Sequence, residues 1–204
     1  MTILNLQASA TEDDLSIHYY SGESSWVANV NFHYIGHITG NSIKHGGGLR
    51  FLNLNIPKES VISTAYLTFK SAGNYSLTTV NSRIIGELTG TPSAFSTVAN
   101  YQGRRGTDCG GANNNYITTA KVAWDNIGAW TTNTEYQSPE IKTIIQEIVD
   151  TSSIQNLVLF VDDHEGRSTA VDTTSRIAYG AYYTSNAPKL HIEYISTSDF
   201  LQLF

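Results

Sequence analysis

The densest run of ionisable side chains is Val161-Asp162-Asp163-His164-Glu165-Gly166-Arg167. Paired carboxyl groups could act as general acid and base, or Asp162, Asp163 and Glu165 could supply oxygens to calcium. No EF-hand spacing accompanies them, and Arg167 is close enough in sequence to neutralise one. The run ends a strong strand pattern, so it reads first as solvated or structural carboxylates at a strand-to-loop junction, then as calcium ligands, and last as a catalytic pair. No cofactor is expected, with calcium as the alternative. His164 is kept as a candidate ligand contact.

Two histidine patterns suggest other chemistry. His45-Gly46-Gly47-Gly48 looks like an oxyanion-hole stretch, but no Gly-x-Ser-x-Gly elbow accompanies it. It reads as a glycine-rich turn feeding a strand that begins near Leu49. His33 and His37 have the i, i+4 spacing of a helical zinc pair, yet Gly36 weakens a helix. On a strand four residues cover about 13 Å, too far for one metal with bonds near 2 Å. Both read as loop or surface histidines.

Among the aromatics, Trp124 and Trp130 read as core and corner packing. Trp124 shares its phase with Ala120 and Val122, so the three should face the same buried side. Tyr20, Tyr66 and Tyr182 fall out of phase with the apolar faces of their strands and should point outward, where sugar rings could stack. With Trp26 and His164 they form the candidate ligand-binding set.

The elements that must position these residues are mostly strands. In Val61 to Lys70, Ala65, Leu67 and Phe69 alternate with Tyr66, Thr68 and Lys70; in Lys189 to Ile195, Leu190, Ile192 and Tyr194 point in while His191 and Glu193 point out. Leu49 to Leu54, Ser82 to Leu88, Thr118 to Trp124, Leu157 to Asp162 and Ile177 to Tyr183 are further candidates. Gly103 to Asn115 reads as a loop. One segment departs from the pattern: Ile141, Ile144, Ile145, Ile148 and Val149 have helical spacing, with Ser138 as N-cap and Pro139 at the first helical position. The expectation is an all-β sandwich in a single domain, residues 1–204, with one short α-helix at about 139–150. Arg50, in an otherwise apolar strand, should be at least half buried beside a carboxylate, with Glu147 and Asp162 the first partners to check.

Composition narrows the function classes. Charged residues are 15% of the 204, against roughly 25% in soluble proteins generally. The net charge of −6 argues against nucleic acid or an anionic membrane as partner. No apolar run is long enough for a spanning helix, and Met1 to Ala10 lacks the basic start of a signal peptide, so the sequence reads as soluble and unanchored. Cys109 is the only cysteine, which rules out an intrachain disulfide.

From Leu49 onward the chain resembles the DNRLRE or disaggregatase-related modules. The resemblance rests on Leu49-Arg50-Phe51, Asn55-Ile56-Pro57, Ile62 to Phe69, Val122-Ala123-Trp124, Ala129-Trp130, Ser138-Pro139-Glu140-Ile141, Gln146-Glu147-Ile148-Val149 and Ala187 to Tyr194, in that order. It covers most of residues 13–194. It implies a jelly-roll sandwich like that of carbohydrate-binding modules, found in secreted prokaryotic proteins and phage structural proteins, with no shared catalytic residues and with the tryptophans and Arg50 in architectural roles. The functional expectation is a non-catalytic glycan-binding or adhesion module at a cell or virion surface, extracellular in setting. The alternative is a structural subunit of a virion or filament, a homo-oligomer of like subunits, and an enzyme is the last reading. Both ends carry apolar residues, Ile3, Leu4 and Leu6 at one and Phe200, Leu201, Leu203 and Phe204 at the other. Each set could fold back on its own sandwich or dock on a neighbouring subunit.

Overall fold

Among the described residues, alternating apolar side chains with frequent turn signals produce twelve strands, two short α-helices and three 3-10 turns. In the computed structural model, residues 1–20, 25–29, 31–38, 43–73, 79–169 and 175–197 are described, except for the side chains of 20, 25–29 and 38. The order is β1 (Thr2–Gln7), β2 (Asp14–Tyr20), β3 (Ser25–Asn29), β4 (Phe32–Ile38), β5 (Ile43–Phe51), β6 (Val61–Lys70), β7 (Val80–Glu87), α1 (Val98–Arg105), β8 (Ile117–Ile127), β9 (Glu135–Gln137), α2 (Lys142–Thr151), β10 (Leu157–Asp162), β11 (Ser175–Tyr179) and β12 (Lys189–Ile195). The protein is an all-β sandwich with a small helical part.

The smaller sheet has the order β1-β12-β6-β9 and the larger β11-β4-β5-β10-β7-β8, with β2 on β5 and β3 on β2. The main core lies between the sheets. Ala65, Leu67 and Phe69 of β6 and Leu190 and Ile192 of β12 meet Leu49, Ile84, Leu159 and Val161 from the larger sheet, and Ile144 and Ile148 of α2 join the same cluster. Trp124 and Trp130 are buried there, with Ala120 and Val122 packed at its margin, as their shared phase predicts.

A second core covers the central part of the other face of the larger sheet. Leu15, Ile17, Ile85, Val158 and Phe160 pack there with Phe95, Tyr101, Cys109 and Ile117. Strand β10 is therefore buried on both sides along its whole length, which explains its unbroken apolar run. The cover includes α1, capped by Thr97, whose side chain accepts from the Asn100 amide at 3.0 Å. This helix falls partly in the segment expected to be a loop, because its buried face is made of Tyr101, Arg104 and Arg105 and carries no aliphatic stripe.

Charged side chains fasten this cover. Arg105 donates to both Asp162 oxygens, at 2.6 and 3.0 Å, and neither side chain has measurable exposure. Arg104 pairs with Glu87 and lies 4.4 Å from the centre of the Phe95 ring. Arg50 is more than half buried beside a carboxylate as expected, its side chain 16% exposed, but the partner is Asp13 at 2.8 Å. Glu147 instead accepts the Thr119 and Ala120 amides at 2.7 Å each.

Three local expectations are corrected. Residues 45–48 belong to β5 and form no turn. A side chain at Gly48 would collide with the Phe95 ring, and one at Gly47 with the Leu15 carbonyl and the His33 ring, so glycine is required by close approach. His33 is fully buried on β4, its Nδ1 3.1 Å from Asp14, while His37 is partly buried on the same strand. The α2 helix begins at Lys142, because Ser138 and Glu140 accept the Leu67 and Ala65 amides of β6 at 2.9 and 2.7 Å and hold the chain extended up to the helix.

Arg105→Ala is expected to lower unfolding free energy by about 3–5 kcal/mol, because it leaves a buried carboxylate without its partner. The double change Arg105→Met with Asp162→Leu should recover most of that loss. Denaturant titration of both variants checks this, and wild-type stability in Arg105→Ala would contradict it.

Candidate functional site

The outward side of the smaller sheet presents polar and aromatic side chains in rows, because antiparallel register aligns residues of like phase. Asn5 stands opposite His191, and His191 opposite Tyr66. The next row is Gln7, Lys189, Thr68 and Gln137. The Tyr66 and His191 rings stack with centroids 4.7 Å apart and planes at 18°. Asn5 Oδ1 lies 2.8 Å from His191 Nδ1, and Glu193 Oε1 lies 3.2 Å from Nε2. The imidazole is thus held by both ring nitrogens as well as by Tyr66.

An open hollow of about 270 Å³ adjoins the pair, lined by Asn5, Leu6, Gln7, Tyr66, Thr68, Lys189, Leu190 and His191. Its floor is apolar through Leu6 and Leu190, while amide, hydroxyl, ammonium and imidazole groups rise around it. Lys189 is half exposed and reaches Glu135 Oε1 at 2.6 Å. Such a surface can offer a flat ligand aromatic contact on one side and hydrogen bonds from several directions.

The structure separates the other expected contacts from Tyr66. The backbones of Tyr20 and Trp26 lie on β2 and β3 of the larger sheet, with Trp26 opposite Tyr19 and Tyr20 opposite Ser25; their side chains lie outside the described residues. Tyr182 is 59% exposed, but it sits on a 3-10 turn after β11, not on the strand expected to continue to Tyr183. It packs edge-on against Tyr183. His164 is buried, with Nε2 3.1 Å from the Tyr101 hydroxyl, and is no surface contact. His191 was legible as outward-pointing, but its partnership with Tyr66 depends on a register that local sequence does not encode.

The acidic run is also not solvated: Asp162 and Asp163 are fully buried. Asp162 is held by Arg105, Asp163 accepts the Arg167 and Ser168 amides, and Glu165 pairs with Arg83 at 3.0 Å. The Arg167 guanidinium turns to Asp125. Burial alone would raise the Asp162 carboxyl, but Arg105 beside it, with further help from His164, holds it below the usual range. Asp163 is pushed up by its burial. The oxygens thus point to separate internal donors, and among the described residues no group of three or more His, Cys, Asp or Glu is arranged to hold a metal.

The terminal residues divide in the same way. Strand β1 pairs with β12 of its own sheet, and Leu4 and Leu6 pack on its own core, which is the fold-back alternative for these two residues. Ile3 takes the opposite phase and is 51% exposed. Phe200, Leu201, Leu203 and Phe204 lie outside the described residues.

Burial lowers the His164 imidazole from 6.5 to about 4. An unfolded chain therefore takes up this proton at a higher pH than the folded one, and the contribution to stability is complete above pH 6.5 and lost as pH falls towards 4. Thermal melts across that interval should show a steeper decline for wild type than for His164→Asn. Parallel profiles would contradict the assignment.

Neither a protein-family model nor a curated protein sequence matches this chain.

Proposed function

We propose that the chain is a non-catalytic binding module of the cell or virion surface, and that its ligand is a carbohydrate held at the outer face of the smaller sheet. The observation that carries this reading is the stacked Tyr66–His191 pair beside an open hollow whose rim is amide, hydroxyl and ammonium. Sugar rings combine apolar C–H faces with a circumference of hydroxyls, and this arrangement matches both features. The internal pairing of Asp162, Asp163 and Glu165 supports a role without general acid or base chemistry. The resemblance to carbohydrate-binding-like modules points the same way.

A second reading, a structural subunit, is favoured by one feature. Strand β1 is the edge of the smaller sheet and displays Ile3 at 51% exposure, and an edge strand can accept a strand from another copy.

Tyr66→Ala should weaken binding of the best ligand from a glycan array by about tenfold, the scale of one lost ring contact, while costing roughly 0.2–1 kcal/mol of stability as a cross-strand pair. Calorimetry and thermal melts measure the two separately; unchanged affinity removes Tyr66 from the site, and an array without any binder removes the carbohydrate reading. For the structural reading, deleting residues 199–204 should reduce an assembly to monomers with the circular dichroism spectrum unchanged. A light-scattering mass that does not change on deletion excludes the tail as connector.

A further inference from the structure

Away from the outer face, β2 and β5 bring His18 and His45 directly opposite each other in antiparallel register. Their ring centroids are 4.6 Å apart with planes at 89°, and the Tyr34 ring lies 4.7 Å from His18 and 5.3 Å from His45. Both are buried, at 8% and 2% exposure. Among the described residues, His18 Nε2 and both ring nitrogens of His45 have no hydrogen-bond partner. A buried imidazole ordinarily satisfies its nitrogens with protein groups, ordered water or a metal. His33 shows the contrast within the same sheet, since its nitrogens meet Asp14 and the Val161 carbonyl at 3.1 and 3.4 Å.

We propose that His18 and His45 form a binding site for a divalent transition metal such as zinc, with two imidazole nitrogens as protein ligands and water completing the coordination. A directly opposed pair of this kind places its Cβ atoms about 4.5–5.5 Å apart, a spacing from which two imidazoles can converge on an ion with bonds of about 2.0–2.1 Å. Imidazole nitrogen suits zinc, copper and nickel, whereas calcium requires oxygen ligands. Lys44 alternates to the other face of β5, and its Nζ is held by the His164 carbonyl at 2.9 Å.

The test uses the full-length untagged chain after chelator treatment, titrated with zinc chloride alone. Saturable binding is expected, with a rise in melting temperature of about 5–10 °C at a hundredfold excess over the dissociation constant. His18→Asn and His45→Asn should each weaken the affinity by about tenfold or more, whereas His191→Asn should leave it unchanged. Because a buried substitution can disturb folding, anomalous scattering at the zinc edge from wild-type crystals soaked in zinc chloride provides an independent measurement. A peak bonded to both His18 and His45 supports the site. Absence of binding at millimolar zinc, a peak elsewhere, or full affinity in a folded His18→Asn, His45→Asn double variant overturns it.

Discussion

The buried ion pair between Arg105 and Asp162 is the contact on which the larger sheet depends. A carboxylate and a guanidinium without measurable exposure are tolerable only because each is matched in geometry and charge. That requirement couples the last residue of β10 to the last turn of α1. It holds the 98–111 segment over Val158 and Phe160 and turns what would be the solvent side of a sandwich into a second core. The glycines of β5 belong to the same arrangement, because any side chain at Gly48 would displace Phe95 from that core.

With the centre of the larger sheet enclosed on both faces, the outward side of the smaller sheet is left as a polar surface of regular secondary structure. Its side chains are supported by paired strands underneath. The Tyr66 and His191 rings are held by each other, by Asn5 and by Glu193, and this limits the rotamer freedom that binding would otherwise have to remove. The acidic run at residues 162–165, in contrast, serves the interior. Its carboxylates are the acceptors through which α1, the turn at 166–168 and Arg83 are secured.

Much of the sandwich was legible in local pattern. The alternation in β6 and β12 gave the inward residues correctly, and Trp124 took the side its phase predicted. The site was legible only in part. Tyr66 could be assigned to the outside from β6 alone, but the pairing of β6 with β12 and of β12 with β1 is non-local, so Asn5 and His191 could not be placed beside it. The same limit hid His18 and His45, whose relation lies in register, whereas His33 and His37 drew notice through sequence spacing. The partner of Arg50 was missed because several carboxylates were equally available to a reading without register. The burial of Asp162 and Asp163 was missed because polar residues at a strand end usually meet water; the one local sign of a covering layer was the unbroken apolar run of β10, which lacks the alternation of a strand with one wet face.

The row Asn5, His191, Tyr66 draws its members from the beginning, the end and the middle of the chain. Its closure therefore carries the loop entropy of very long connections, and contacts of that kind tend to form late and slowly. The outer surface is consequently a record of completed folding. A chain whose larger sheet and second core are in place, but whose β1 has not yet joined β12, would have most of its buried interior and no finished platform. Under the proposed function, recognition at that surface would be coupled to the joining of both ends of the sheet, and proteolytic loss of a few residues from β1 would remove Asn5 from the row without dissolving the doubly covered strand at the centre.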